Sequence, residues 1–207
     1  MEIHPPAAPI HSVKDFLLHL SMIAIGVLLA LAAEGLAEHV HNRHLVREAK
    51  ENIIGEIRDN HQTLQQELPK LASNEQQLTT LLETLTKLRS DRHTAAPDIA
   101  LNLNMLILSG SSWKTAGTTG ALGLMLYSEV KDFAADCEVQ DSVNRLSAQL
   151  MDYWLSMTAI NGDVSKLSEQ QLDDLIHRVQ LSLSHLQAVE NISKSLDEEY
   201  TKRLNQR

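Results

Sequence analysis

One stretch near the start of this chain limits every fold open to it: Phe16 to Ala37, FLLHLSMIAIGVLLALAAEGLA. Between Leu20 and Ala33 its only polar side chain is the Ser21 hydroxyl, and none is charged. A helix rises about 1.5 Å per residue, so about 20 such residues cross the ~30 Å hydrocarbon layer of a bilayer. A water-facing helix of this length would carry a polar face. This one shows none before Glu34. The stretch reads as a membrane-spanning helix, residues 13–37, with a helical domain tethered behind it.

Other readings of the same stretch remain open. Ala30-Leu31-Ala32 offers the small residues of a signal-peptide cleavage site, and its use would leave a secreted, soluble bundle. Against cleavage, the basic region ahead of the run is Lys14 alone and the run is long enough to span. A re-entrant segment or a buried soluble helix fits less well. Ahead of the span, residues 1–12 hold Pro5, Pro6 and Pro9 and read as a short extended tail, with Ser12 placed to cap the helix.

Successive helical residues turn by about 100°, which puts His19, Gly26, Ala30, Ala33 and Ala37 on one face of the span. Gly26-xxx-Ala30 and Ala33-xxx-Ala37 have the spacing that lets two membrane helices approach closely, so a homodimer through this packing face is expected. The other reading is that Gly and Ala are simply common in such helices. His19 and Glu34 lie about 22 Å apart along the axis, which lets each reach one interface. Lys14 precedes the span, whereas Arg43, Arg47 and Lys50 follow it closely. By the positive-inside rule that bias favours a cytoplasmic C-terminal domain on the cell (inner) membrane.

Directly after the span, Glu38, His41, His44 and Glu48 recur along one helix face. Imidazole and carboxylate at such spacing are candidate ligands for a divalent metal such as zinc, and imidazole also titrates near neutral pH. The favoured reading is a polar collar at headgroup level, without metal or cofactor. The set lacks the E-x-x-H repeat on partner helices that marks di-iron bundles. A formal net charge of -9 offers no broad basic surface for phosphate backbones, so nucleic acid is excluded as a partner. Cys137 is the single cysteine, so no intrachain disulfide forms.

A resemblance becomes visible at this point. His11-Ser12-Val13-Lys14-Asp15-Phe16, His19-Leu20, Gly26, Glu34, Glu38, His41 and Leu45-Val46-Arg47-Glu48-Ala49 resemble a family of uncharacterised bacterial proteins. The similarity is sharpest over roughly the first 60 residues and continues through Trp113-Lys114-Thr115-Ala116 and Gly120-Ala121-Leu122. The resemblance implies one N-terminal membrane helix and a helical remainder. It supplies no activity and no catalytic residues.

The remainder reads as helix. Ile57, Leu64, Leu71, Leu78 and Leu85 recur every seven residues, joined by Ile53, Ile54, Leu68, Leu81, Leu82 and Leu88. That is a coiled-coil seam, with its second apolar position missing at Asn60, Glu67 and Asn74. The spacing predicts a juxtamembrane stalk over 38–89, kinked or broken near Pro69, which removes a backbone donor. Residues 90–127 read as a loop and short helices. Asp98 is placed to cap one of these, running through Ile107, and small residues from Ser109 to Gly123 predict tight turns packed beneath Trp113. Residues 128–207 read as two long helices. One starts at a Ser128 cap, with Val130, Phe133, Cys137, Leu146, Leu150, Trp154 and Leu155 inward and a Gly162 stop. The other starts at Ser168 and buries Leu172, Leu175, Val179, Leu183, Leu186, Leu196 and Tyr200.

The expected architecture is therefore all-α: a single N-terminal transmembrane helix continuing into a stalk, then an antiparallel helical bundle. No G-x-S-x-G, H-E-x-x-H or phosphate-loop order occurs, and Lys114 precedes Gly117 and Gly120. The expected function is a non-enzymatic, single-pass membrane-anchored role in structure or protein interaction. Its partners are the lipid bilayer, a second copy and an unidentified protein. The alternative is a membrane-tethered sensor bundle binding a small ligand or metal.

Overall fold

The computed structural model describes residues 13–95, 104–158 and 164–205. Four α-helices account for most of them: α1 (Val13–Ser90), α2 (Ser111–Thr118), α3 (Tyr127–Thr158) and α4 (Glu169–Asn205). Short 3-10 turns occupy Ala121–Leu124 and Val164–Lys166, and no strand occurs among the described residues. The chain forms two compact units, Met1–Arg47 and Glu48–Arg207. The expected Ser12 cap, Asp98 cap and Asn161-Gly162-Asp163 stop lie outside the described residues.

In the first unit α1 is exposed at every position from Val13 to His41. Its most apolar 18-residue window has a mean hydropathy of 2.4, and none of that window is buried. By length and composition α1 can cross a membrane. The few polar groups there turn back on the helix itself. The Ser21 hydroxyl donates to the Leu18 carbonyl at 2.8 Å, and the His19 ring sits 2.8 Å from the Asp15 carbonyl. Such bonds satisfy side-chain polar atoms against the helix's own backbone.

The second unit is built on the opposite pattern. Along α1 the buried residues Ile53, Ile57, Asn60, Leu64, Leu71, Asn74, Leu78, Leu81, Leu85 and Leu88 follow alternate steps of four and three, with one gap at Glu67. In α3 the same rhythm buries Phe133, Asp136, Gln140, Val143, Ser147, Leu150, Trp154 and Met157. In α4 it buries Leu172, Leu175, Val179, Ser182, Leu186, Val189, Ser193, Leu196 and Tyr200 without a break. Three helices with this spacing each present one stripe to a shared interior.

Side-chain pairs fix the registers. His61 meets Thr201, Glu75 meets Gln187 and Arg89 meets Asp173, so the numbers fall along α4 by two heptads as they rise by two along α1. Lys50 pairs with Glu129, and Asn60 with Gln140, so the numbers rise together along α1 and α3. At the start of α4 the Ser168 hydroxyl accepts from the Gln171 N–H at 3.2 Å, while the Gln171 side chain accepts from the Ser168 N–H at 2.9 Å. This reciprocal capping box is the start read from the sequence.

Five expectations need correction. Of the kink or break expected near Pro69, the break does not occur, because α1 continues through it. Pro69 and Gln65 are both exposed, so the carbonyl deprived of its N–H partner faces water, where the loss costs least. No helix runs to Ile107, because Asn104–Gly110 is irregular and held by side chains described below. Helix α3 starts at Tyr127, which puts Ser128 inside its first turn. Leu155 is exposed because Trp154 and Met157 take the heptad positions beside it. Ser182, not Leu183, takes the fully buried position in α4.

Candidate functional site

The densest chemistry among the described residues surrounds the non-helical segment Asn104–Gly110. Period two governs it: Leu106 and Leu108 are buried, whereas Ile107 between them is exposed. An extended backbone among helices has no ladder to join, and its polar groups need partners from side chains. Asparagines supply them.

Asn74 on α1 grips one end, donating to the Asn104 carbonyl at 2.8 Å and accepting from the Asn104 N–H at 3.1 Å. Asn144 on α3 does the same for Leu108, with its carbonyl 2.8 Å and its N–H 2.9 Å away. Asn60 on α1 repeats the pattern with Ser109, at 2.7 Å and 2.9 Å. Each amide presents one donor and one acceptor, the pair that a neighbouring strand would have offered.

Around Ser109 the grip becomes a network. The Gln140 amide also donates to the Ser109 carbonyl, and its oxygen accepts from Asn60 at 3.0 Å and from the Tyr200 hydroxyl at 2.8 Å. Tyr200 is fully buried, and that burial pushes its phenol up, away from ionisation. Gly110 follows because a Cβ there would stand 3.1 Å from the Gln140 amide nitrogen. One turn earlier on α1, Glu56 accepts from the hydroxyls of Ser109 and Ser111, both at 2.7 Å, and from the Ser112 N–H at 3.0 Å. It closes the start of α2, where Gly110 has no side chain to do so. Burial pushes the Glu56 carboxyl up, but hydrogen bonds from Ser111, Ser112 and Ser109 outweigh it and leave the group below its usual range.

A second polar knot lies between α3 and α4. Asp136 is buried and ion-paired to Arg203, which lies 5.6 Å over the Phe133 ring and also donates to the Asp132 carbonyl. Burial raises the Asp136 carboxyl, and Arg203 pulls it only part of the way back. Next to it the Cys137 thiol is pushed up to about 12 by burial first and the neighbouring Asp136 charge second, so it stays protonated at neutral pH.

The residues singled out in the sequence lie elsewhere. Glu38, His41 and His44 follow one another along α1 in the first unit, while Glu48 opens the second. No group of three or more His, Cys, Asp or Glu side chains converges on a metal position among the described residues. Val40, Arg43, His44 and Arg47 border a recess of about 420 Å³. Gly26, Ala30, Ala33 and Ala37 are all exposed, and a Cβ at Gly26 would meet nothing within 4 Å.

The amide clasp was missed, although two of its members stood out. Asn60 and Asn74 are the gaps in the α1 seam, and Leu-Ile-Leu at 106–108 is the period-two signal. The polar gaps and the strand pattern are one feature.

No protein-family model matches the sequence, and no curated protein or solved structure proved similar to it. The chemistry assembled at Ser109 is mutual. Asn60 spends both donors and its acceptor within the cluster, so the arrangement holds a strap in place.

Proposed function

We propose that this is a single-pass protein of the cell (inner) membrane, anchored by α1, whose remainder folds as an antiparallel helical bundle serving a structural or protein-interaction role without catalysis. One observation carries the reading. An 18-residue window of mean hydropathy 2.4 is covered by no other part of the chain among the described residues. At ~25 cal/mol per Å² of apolar surface, leaving such a window in water is far more costly than placing it in lipid. The opposed numbering of the α1–α4 pairs supports the bundle, and the resemblance to single-span bacterial proteins points the same way. The bias of Arg43, Arg47 and Lys50 over Lys14 favours a cytoplasmic bundle, and the Gly26–Ala37 face favours pairing with a second copy.

Alkaline carbonate washing of the native membranes tests the anchor. Intact, unprocessed chain should remain in the pellet. Its release, or a mature N-terminus beyond Ala32, would overturn the reading in favour of a soluble, secreted bundle.

A further inference from the structure

Past its apolar stretch, the first unit ends in a basic face. The recess of about 420 Å³ there is bordered by Val40, Arg43, His44 and Arg47, all of them exposed. At about 100° per residue these four fall within one sector of about 100° around α1, and Glu38 and Glu48 fall outside it. The acid that shares the face is Glu51, a turn beyond Arg47. Along the chain both guanidiniums therefore stand between that acid and the apolar stretch.

Most other arginines spend their donors within the chain. Arg89 pairs with Asp173, Arg203 with Asp136, Arg92 with the Leu167 carbonyl and Arg145 with the Ser142 hydroxyl. Among the described residues Arg43 and Arg47 have no such partner. Arg58 and Arg178 are exposed as well, but neither has a second arginine or lysine one turn away on its helix.

Residues four apart on a helix carry Cβ atoms about 5–6 Å from each other. Each guanidinium offers a planar fork of N–H donors that matches two oxygens of a phosphate. Two such forks one turn apart bracket a single tetrahedral anion. A recess of 420 Å³ also falls in the ~300–1,000 Å³ range of small-molecule sites, which suits a headgroup better than a lone ion. Val40 follows Ala37 by three residues and Arg43 by six, about 4.5 Å and 9 Å along the same helix. Helical side chains lean toward the N-terminus of their helix, here back toward the apolar stretch. The interfacial layer beside the hydrocarbon is about 5–7 Å deep, within reach of a long side chain leaning that way.

We propose that Arg43 and Arg47, with His44 beside them, form a binding site for an anionic phosphate ester, one whose charge no ammonium of its own offsets. The proposal rests on the membrane-anchored reading above, which makes an anionic lipid headgroup the nearest source. A bound headgroup ties the end of the apolar stretch to the bilayer surface.

The test uses the full chain in detergent micelles carrying equal phosphatidylglycerol and phosphatidylcholine, with retained lipid read by native mass spectrometry. Arg43→Gln with Arg47→Gln is compared with the parent, and Arg58→Gln with Arg178→Gln removes the same charge elsewhere. Circular dichroism verifies each fold. A second arm adds inorganic phosphate in lipid-free micelles and reads broadening of its phosphorus resonance.

The parent and the 58/178 variant should both prefer phosphatidylglycerol, and the 43/47 variant should lose that preference about thirtyfold, the effect of two basic residues at a membrane surface. Broadening of the inorganic phosphate signal by the parent alone would extend the site to free phosphates, and its absence beside the lipid preference would assign the site to lipid. Equal preference in the parent and the 43/47 variant, without broadening, would overturn the proposal. Equal losses in both variants would also overturn it, since diffuse charge and not a site would then attract the lipid. Retention of neither lipid by the parent would count against the anchor, and the phosphate arm would then decide the site by itself.

Discussion

Helix α1 contains two apolar stretches that the same residue types build in different ways. From Phe16 to Ala37 apolar residues sit at nearly every position, all of them exposed. From Ile53 to Leu88 they recur at steps of four and three, and Leu64, Leu78, Leu85 and Leu88 are completely buried. The first stretch is left uncovered by every other described residue. The second has one stripe, matched by stripes on α3 and α4. On the membrane-anchored reading proposed above, quantity selects a lipid solvent and pattern selects a protein partner, and a single helix uses both.

Arginine in the first stretch gives the largest separation of the two. Val27→Arg with Leu28→Arg should cost about 2.5–3.5 kcal/mol per residue for insertion, moving the protein from the carbonate-resistant pellet to the supernatant. Thermal unfolding of the second unit should be unchanged. If the double variant remained in the pellet, the stretch would not be held by lipid.

Leu78→Ala is the converse. Leu78 has no exposed surface, and its truncation leaves a cavity expected to cost about 2–5 kcal/mol of stability, read from the urea midpoint. Membrane partition should not change. A cost below about 0.5 kcal/mol, the level of an ordinary surface substitution, would show that this seam is not a packed interior.

Asn60→Leu sharpens the rule inside the second stretch. Judged by the heptad alone, leucine at position 60 completes the seam and should stabilise. Judged by the clasp, it deprives the Ser109 N–H of its acceptor and removes a donor to Gln140, and should destabilise by about 1–3 kcal/mol. Hydrogen exchange at Ser109 should accelerate more than at Leu64. A stabilised variant would mean that the amide network is incidental to the fold.

These contrasts show why some of the structure was legible in the sequence. The apolar stretch, the seam from Ile53 to Leu88 and the Ser168 helix start depend on periodicity or nearest neighbours, which a one-dimensional reading contains. The clasp depends on partners 30 to 49 positions apart, so Asn60 and Asn74 registered only as defects in a hydrophobic repeat. Helix propensity was also a poor guide at Asn104–Ile107, where the Asn74 amide bonds the Asn104 backbone instead. Leu155 was misplaced by a single position, since Trp154 and Leu155 look equally apolar until the phase of α3 is fixed by Leu150 and Met157.

The smallest expected effect concerns how the clasp joins α2. Glu56 takes two hydroxyl bonds and one N–H in place of a side-chain cap, a service worth on the order of 1 kcal/mol at a helix start. Its carboxyl is lowered in the folded protein below the ordinary value of 4.5, so its contribution is complete above that value and is lost as pH falls through the folded one. Asp136 runs the other way. Its raised carboxyl favours the folded state below 3.8 and loses that contribution as pH rises through the folded value. Comparing Glu56→Gln with the parent at each pH removes the Asp136 term, which both proteins share. The variant should exchange its α2 amides faster at neutral pH, and the difference should shrink on acidification as the parent loses its charge. An equal difference at both ends of the titration would show that the Glu56 charge plays no part in closing α2.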